Sequence, residues 1–187
     1  MAYLPTGKEL IDPYKLLEAA GTRADMQVAD FGCGTLGHYV FPAAKLVGPN
    51  GKVFAVDILK SVLAGVESRQ KMESASNIVT VWGDLEREHG VNMADSTLDM
   101  GLLINNLFMS KQQAAMIKEC VRCVKPGGLF VIVDWRPAAT AIGPDVKVRV
   151  APEVARKLGE AAGLVYERDL DPGPLHYGML FRKPAII

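Results

Sequence analysis

Short apolar runs alternate along this chain with stretches in which apolar residues recur every three or four positions. The runs Val28–Phe31, Lys52–Asp57, Ile78–Trp82, Leu98–Ile104, Leu129–Val133, Leu164–Arg168 and Tyr177–Arg182 are rich in Val, Ile, Leu and Phe and read as strands, most of them buried. Between them lie helical patterns. Asp12-Pro13 reads as an N-cap with proline at the first helical position, opening a helix that runs to Ala20 and stops at Gly21. Tyr39–Val47, Ser61–Ser74 (weakened by Gly65), Lys111–Val124 and Pro152–Ala162 read as four more helices. Lys125-Pro126-Gly127-Gly128 reads as the stop of the fourth, and residues 85–96 as a polar, irregular helical turn.

Strand–helix alternation predicts right-handed crossovers and a parallel sheet with helices on both faces. The last two strands are separated only by the turn Asp171-Pro172-Gly173-Pro174, too short for a crossover, so they pair antiparallel. The expected fold class is therefore α/β: a doubly wound, mostly parallel seven-stranded sheet, Rossmann-like, closed by an antiparallel C-terminal hairpin strand. Residues 1–187 read as a single domain, with 1–25 a short N-terminal arm and helix and 26–187 the core.

Composition narrows the function classes. The chain has 21 basic and 21 acidic side chains, a formal net charge of zero, and no run of either sign, so a nucleic-acid partner is not expected. No apolar run has the length of a membrane span, and the first residues lack the basic-then-apolar layout of a signal peptide. Three cysteines are too few for a disulfide scaffold. The expectation is a reduced cytoplasmic protein, a monomer or homodimer.

The chemistry concentrates where the first strand ends. Gly32-x-Gly34-x-x-Gly37 lies between that strand and a helix, a place where glycines let the backbone approach a ligand closely. The pattern also fits a dinucleotide fingerprint, with Asp57 as the acid further on. However, Asp30 at the strand tip would oppose a pyrophosphate and suits a ligand presenting an amine. In open α/β sheets ligands bind beyond the strands' carboxyl ends, and here those ends carry Asp30, Asp57, Asp84, Asn105 with Asn106, and Asp134.

The stretch Val28–Gly37, VFAVDI in the second strand, Gly83-Asp84 and the VKPGG turn together resemble the class I S-adenosylmethionine (SAM)-dependent methyltransferases. The overall cadence is most similar to the ubiquinone/menaquinone C-methyltransferase branch. The resemblance implies transfer of a methyl group from SAM to a small-molecule acceptor, leaving S-adenosylhomocysteine (SAH). It implies a cofactor site built from Asp30, Gly32, Cys33, Gly34, Gly37, Asp57, Ile58, Gly83, Asp84, Leu85 and Asn105. In it Asp57 takes the ribose hydroxyls, Asp84 the adenine amino group and Asp30 the cationic amine. Strand four ends Ile104-Asn105-Asn106-Leu107-Phe108, without the Asn/Asp-Pro-Pro-aromatic sequence of enzymes that methylate exocyclic amines. Two rival readings are a SAM- or SAH-binding module without transferase activity and an NAD(P)-dependent oxidoreductase.

A general base is needed only if the nucleophile must lose a proton. His176 and Asp134 are the candidates, with His38 in the next helix's first turn a third. Asn105, Asn106, Asp134 and His176 are expected to line one acceptor cavity walled by Trp135 or Phe108. If His176 is the base, turnover should fall as the pH drops through about 6.5. Cys120-x-x-Cys123 lies within a helix and reads as core, so no metal site is expected. Lys147 and Arg149 read as a solvated strand face, or as an anchor for an anionic substrate.

Overall fold

A computed structural model describes residues 10–138, 140 and 142–185. Most of the arm expected at residues 1–11 lies outside the described residues. The helices named among the described residues are α1 (Pro13–Ala19), α2 (Val40–Val47), α3 (Lys60–Glu73), α4 (Gln113–Cys123) and α5 (Pro152–Ala161). The strands are β1 (Gln27–Phe31), β2 (Lys52–Asp57), β3 (Ile78–Trp82), β4 (Leu98–Ile104), β5 (Val124–Trp135), β6 (Val165–Leu170) and β7 (His176–Arg182). They form one seven-stranded sheet in the order β3-β2-β1-β4-β5-β7-β6. All neighbours are parallel except β7, which is antiparallel to both β5 and β6.

Local chemistry explains most boundaries. The Asp12 carboxylate accepts from the amides of Tyr14 and Lys15, so α1 begins at Pro13. α3 ends where Ser74 turns left-handed (φ 53°), and Gly65 is carried inside it. One boundary differs from expectation. Lys125-Pro126-Gly127-Gly128 ends α4 but belongs to β5 as an irregular bulge: Leu98 faces Val124 while Met100 faces Leu129. Gly127 (φ 80°) absorbs the extra residues, and its amide donates to the Lys183 carbonyl beyond β7. Residues 85–96 form turns instead of a helical one, tied back by an isolated antiparallel bridge from Gly83 to Val91.

The sheet separates two apolar layers. α1, α2 and α3 supply Leu16, Leu17, Phe41, Val47, Leu63 and Val66 to one face, and α4 and α5 supply Ile117, Cys120, Cys123 and Ala155 to the other. Both α4 cysteines are fully buried core residues. Chain order reverses between β1 and β4: β2 and β3 run outward on one side, and β4 resumes on the other. That switch point leaves a crevice at the carboxyl ends.

Candidate active site

A cavity of about 710 Å³ fills the crevice. Its lining comes from four consecutive sheet positions: Gly32, Gly34 and Thr35 after β1; Asp57, Ile58 and Leu59 at β2; Gly83–Glu86 after β3; and Ile104–Asn106 at β4. Met109, Met116 of α4 and Val62 of α3 complete the lining.

The glycine loop is shaped by its neighbours. Gly32, Gly34 and Gly37 all have positive φ (72°, 65° and 53°). At Gly32 a side chain has no room, since a Cβ would lie 2.2 Å from the Asn106 Oδ1. Asn106 Nδ2 donates to the carbonyls of Ile104 (2.8 Å), Phe31 (3.0 Å) and Gly32 (3.4 Å). One amide thus clamps the tips of β1 and β4 together, with its oxygen lying against Gly32. Asp57 anchors the loop from the other side: Oδ2 accepts from the Gly34 amide (3.3 Å) and Oδ1 from the Leu59 amide (2.9 Å). Asp84 Oδ1 accepts from the Glu86 amide, holding the bend that turns Gly83–Glu86 toward the cavity.

Asp30 sits beneath this floor. It is buried, and its Oδ2 has no hydrogen-bond partner among the described residues. Burial, and secondarily the Asp57 charge, push its carboxyl up to about 7. A buried acid left without a donor is costly in a finished site. A cationic or amine-bearing ligand would relieve it.

Of the residues expected at the cofactor, Gly32, Gly34, Asp57, Ile58, Gly83, Asp84, Leu85 and Asn105 border the cavity. Asp30 lies below it, Cys33 is buried, and Gly37 packs against Phe41 instead. Residues that motif reasoning did not place at the cofactor are Thr35, Leu59, Val62, Glu86, Ile104, Asn106, Met109 and Met116. Only Asn106 and Ile104 carried a signal, as strand-tip positions. Glu86 and Met109 enter through irregular segments; Glu86 accepts from the Ser110 hydroxyl (2.6 Å) and the Gln112 amide (3.2 Å), joining the loops after β3 and β4.

The expected single cavity holding Asn105, Asn106, Asp134 and His176 is corrected: the last two do not border it. β7 stands two strands beyond β4 in the sheet, roughly 10 Å away at ordinary strand spacing. Asp134 is fully buried; its Oδ2 accepts from the amides of Leu107 (2.9 Å) and Phe108 (3.4 Å), and its Oδ1 from that of Trp135 (2.7 Å). Burial raises its carboxyl to about 6 against the opposing pull of those three amides. It shapes the short 3-10 turn Leu107–Met109. His38 Nε2 pairs with the Ile11 carbonyl at 3.1 Å, linking α1's entry to the loop before α2.

His176 is fully buried, with both ring nitrogens unpartnered among the described residues and its ring 4.1 Å from that of Trp135. Burial, then the Arg149 and Arg136 charges, lower its imidazole to about 4, so any role as a base would move the acid limb there from about 6.5. The group is neutral in the fold, and an unfolded histidine takes a proton near 6.5. Its contribution to stability is therefore complete above pH 6.5 and lost as the pH falls toward 4. His176→Phe should reduce the loss of unfolding free energy between pH 7 and pH 5 by roughly 2 kcal/mol. Denaturant titrations of both proteins at the two pH values would check this; equal losses would refute it.

Arg149 is not on a solvated face. It is buried, and donates to the carbonyls of Pro144, Arg136, Ala138 and Ile142 and to the Thr140 hydroxyl. All five guanidinium N–H groups are thereby committed to the loop after β5. Holding an anionic substrate would require unmaking that loop.

Comparison with known proteins bears on the same residues. A family model described as a methyltransferase domain matches residues 22–162. The chain is 26% identical over 120 residues to a demethylmenaquinone methyltransferase from Lactococcus lactis, covering 64% of this chain and 46% of that protein. A demethylmenaquinone methyltransferase from Geobacillus is 29% identical over 105 residues, covering 56% and 43%. The chain thus spans less than half the length of either curated relative. The crystal structure of a SAM-dependent methyltransferase from Aquifex aeolicus superposes with a TM-score of 0.88 at 23% identity, covering 96% of this chain and 94% of that one. The chain belongs to the methyltransferase domain family and has its Rossmann-like fold.

Proposed function

We propose that the switch-point cavity binds SAM and that the protein moves its methyl group to a small-molecule acceptor, releasing SAH. The observation that carries this reading is the row of acids at successive strand tips around a glycine loop that has no room for a side chain at Gly32. Asp57 retains lone pairs on both oxygens beyond its two backbone bonds and can accept from vicinal ribose hydroxyls. Asp84 and Leu85 serve the adenine. The Asn106 oxygen and buried Asp30 serve the amine of the amino-acid end, which relieves the orphaned Asp30 oxygen. Ile58, Leu59 and Met109 give the cavity an exposed apolar rim that excludes water once a ligand is seated.

SAM supplies a methyl group on a sulfonium, a leaving group activated in advance. The acceptor's lone pair or carbanion forms the new bond to the methyl carbon as the sulfur–carbon electron pair returns to sulfur; any acceptor proton leaves to solvent or a base. What this chain contributes is alignment and desolvation. Asp134 and His176 enter the chemistry only if the segments covering them move.

The acceptor is a small molecule, nucleic acid being disfavoured by the zero net charge. No helix among the described residues is long and apolar enough to cross a membrane. All three cysteines are free, which suits a reducing cytoplasm, and we place the protein there as a monomer or homodimer.

Calorimetric titration with SAM and SAH should show binding, NADH should not bind, and incubation with acceptor candidates should release SAH. Binding of SAM without turnover on any acceptor would favour a binding module; no binding of either ligand would overturn the site. Asp30 adds a pH signature. A cation bound beside it favours the ionised form, so SAM affinity should rise about tenfold per pH unit up to about 7 and then level off. Proton release on binding at pH 6, read from calorimetry in buffers of different ionisation enthalpy, would check it. A flat profile would place the amine elsewhere.

A further inference from the structure

The segment after β3 supplies the cavity with Gly83, Asp84, Leu85 and Glu86, yet it has no helix or strand of its own. Its inner limb is set by its outer limb. The Asp84 amide donates to the Gly90 carbonyl (3.0 Å), the Arg87 amide to the Asp84 carbonyl (3.3 Å), and Gly83 is bridged to Val91. The two limbs are in tight contact: a Cβ on Gly83 would lie 2.9 Å from Val91, and one on Gly90 only 2.2 Å from the Asp84 carbonyl oxygen.

The outer limb is gripped by a carboxylate from α4, which packs in the same apolar layer as Leu85 and Val91. Glu119 of α4, 3% exposed, accepts from the His89 amide through Oε2 (3.0 Å) and from the Val91 amide through Oε1 (2.9 Å). Arg122, one turn on, pairs with both Glu119 oxygens (2.9 and 2.7 Å). Its remaining N–H groups go to the carbonyls of Met93 (2.8 Å) and Val91 (3.1 Å) and to Asp95 (2.6 Å). His89 is held in the left-handed region (φ 52°), a conformation that persists only where surrounding contacts impose it. Neither Glu119 nor Arg122 borders the cavity.

We propose that Glu119, braced by Arg122, is a positioning residue for the adenosine end of the cofactor: it sets the depth of Asp84 and Leu85 by fixing the loop's outer limb to α4. The inference rests on reading the cavity as the SAM site. The loop's internal hydrogen bonds tie its two limbs to each other, so its register against the ligand is taken from the helix that holds the outer limb. The charged, bidentate carboxylate matters because it alone accepts from two loop amides and two guanidinium N–H groups at once.

The test uses the full chain. Glu119→Gln keeps the shape but turns an amide N–H toward a backbone N–H, so one loop bond is lost. SAH affinity, measured well below the melting temperature, should fall about tenfold, and KM for SAM should rise about as much while kcat changes less than about twofold. In an Asp84→Ala background the same substitution should change SAH affinity clearly less than in the wild type, because one of the two groups being positioned is gone. Cys120→Ala, a buried change on the same helix, should lower the melting temperature without altering SAH affinity. A Glu119→Gln protein that melts earlier but binds SAH normally would make the pair a structural staple and overturn the proposal, as would fully additive losses with Asp84→Ala. If Glu119→Gln does not fold, Glu119→Asp, shortened by one methylene, carries the same expectations. Wild-type protein that binds no SAH would overturn the site reading itself.

Discussion

Gly32→Val yields a folded protein whose affinity for SAM falls by at least about 10²-fold. Two effects add. The residue holds φ 72°, a region that costs a β-branched side chain about 1–3 kcal/mol. The new Cβ would also lie 2.2 Å from the Asn106 oxygen and 2.7 Å from its amide carbon and nitrogen. Asn106 cannot swing aside freely, since its Nδ2 holds three carbonyls at the tips of β1 and β4. Displacing it loosens the clamp and moves a cavity-lining residue at the same time. Circular dichroism should remain native-like while calorimetric binding disappears. Retained affinity would reduce the loop to a structural turn.

Asp57→Ala weakens SAM binding by about 1.5–3 kcal/mol, the range for lost hydrogen bonds to a charged group. Sequence reasoning expects little change in stability without ligand. The structure alters that expectation: the carboxylate accepts from the Gly34 and Leu59 amides, so the variant should also lose about 1–2 kcal/mol of unfolding free energy in the absence of SAM. Asp57→Asn separates the two effects, because an amide can still accept one backbone bond but no longer offers two anionic oxygens to a diol. It should recover part of the stability and little of the affinity. If Asp57→Ala bound SAM normally, the ribose assignment would be wrong.

The strands of this sheet are written in local sequence. Val53–Val56 of β2 and most of Leu98–Ile104 of β4 are apolar because inner parallel strands are covered on both faces, and the observed bounds of both strands match the runs. The proline after Asp12 and the left-handed glycines of the loop likewise act through their own φ and N–H, which neighbours do not change. The acids Asp57 and Asp84 follow from the strands, because they stand at or just past carboxyl ends beside the switch point. Where a residue's meaning depends on a distant partner, sequence is silent. Lys125-Pro126-Gly127-Gly128 has the composition of a stop, and becomes a bulge because Asp99 and Lys183 meet it from β4 and beyond β7. Asp134 and His176 share the rim by topology, but pairing with backbone amides removes one from the cavity and two intervening strand spacings remove the other. Glu119 and Arg122 look like an ordinary helical pair at spacing three. Only the fold lays α4 beside residues 89–95, where a buried carboxylate must find donors and takes them from a loop without helix or strand.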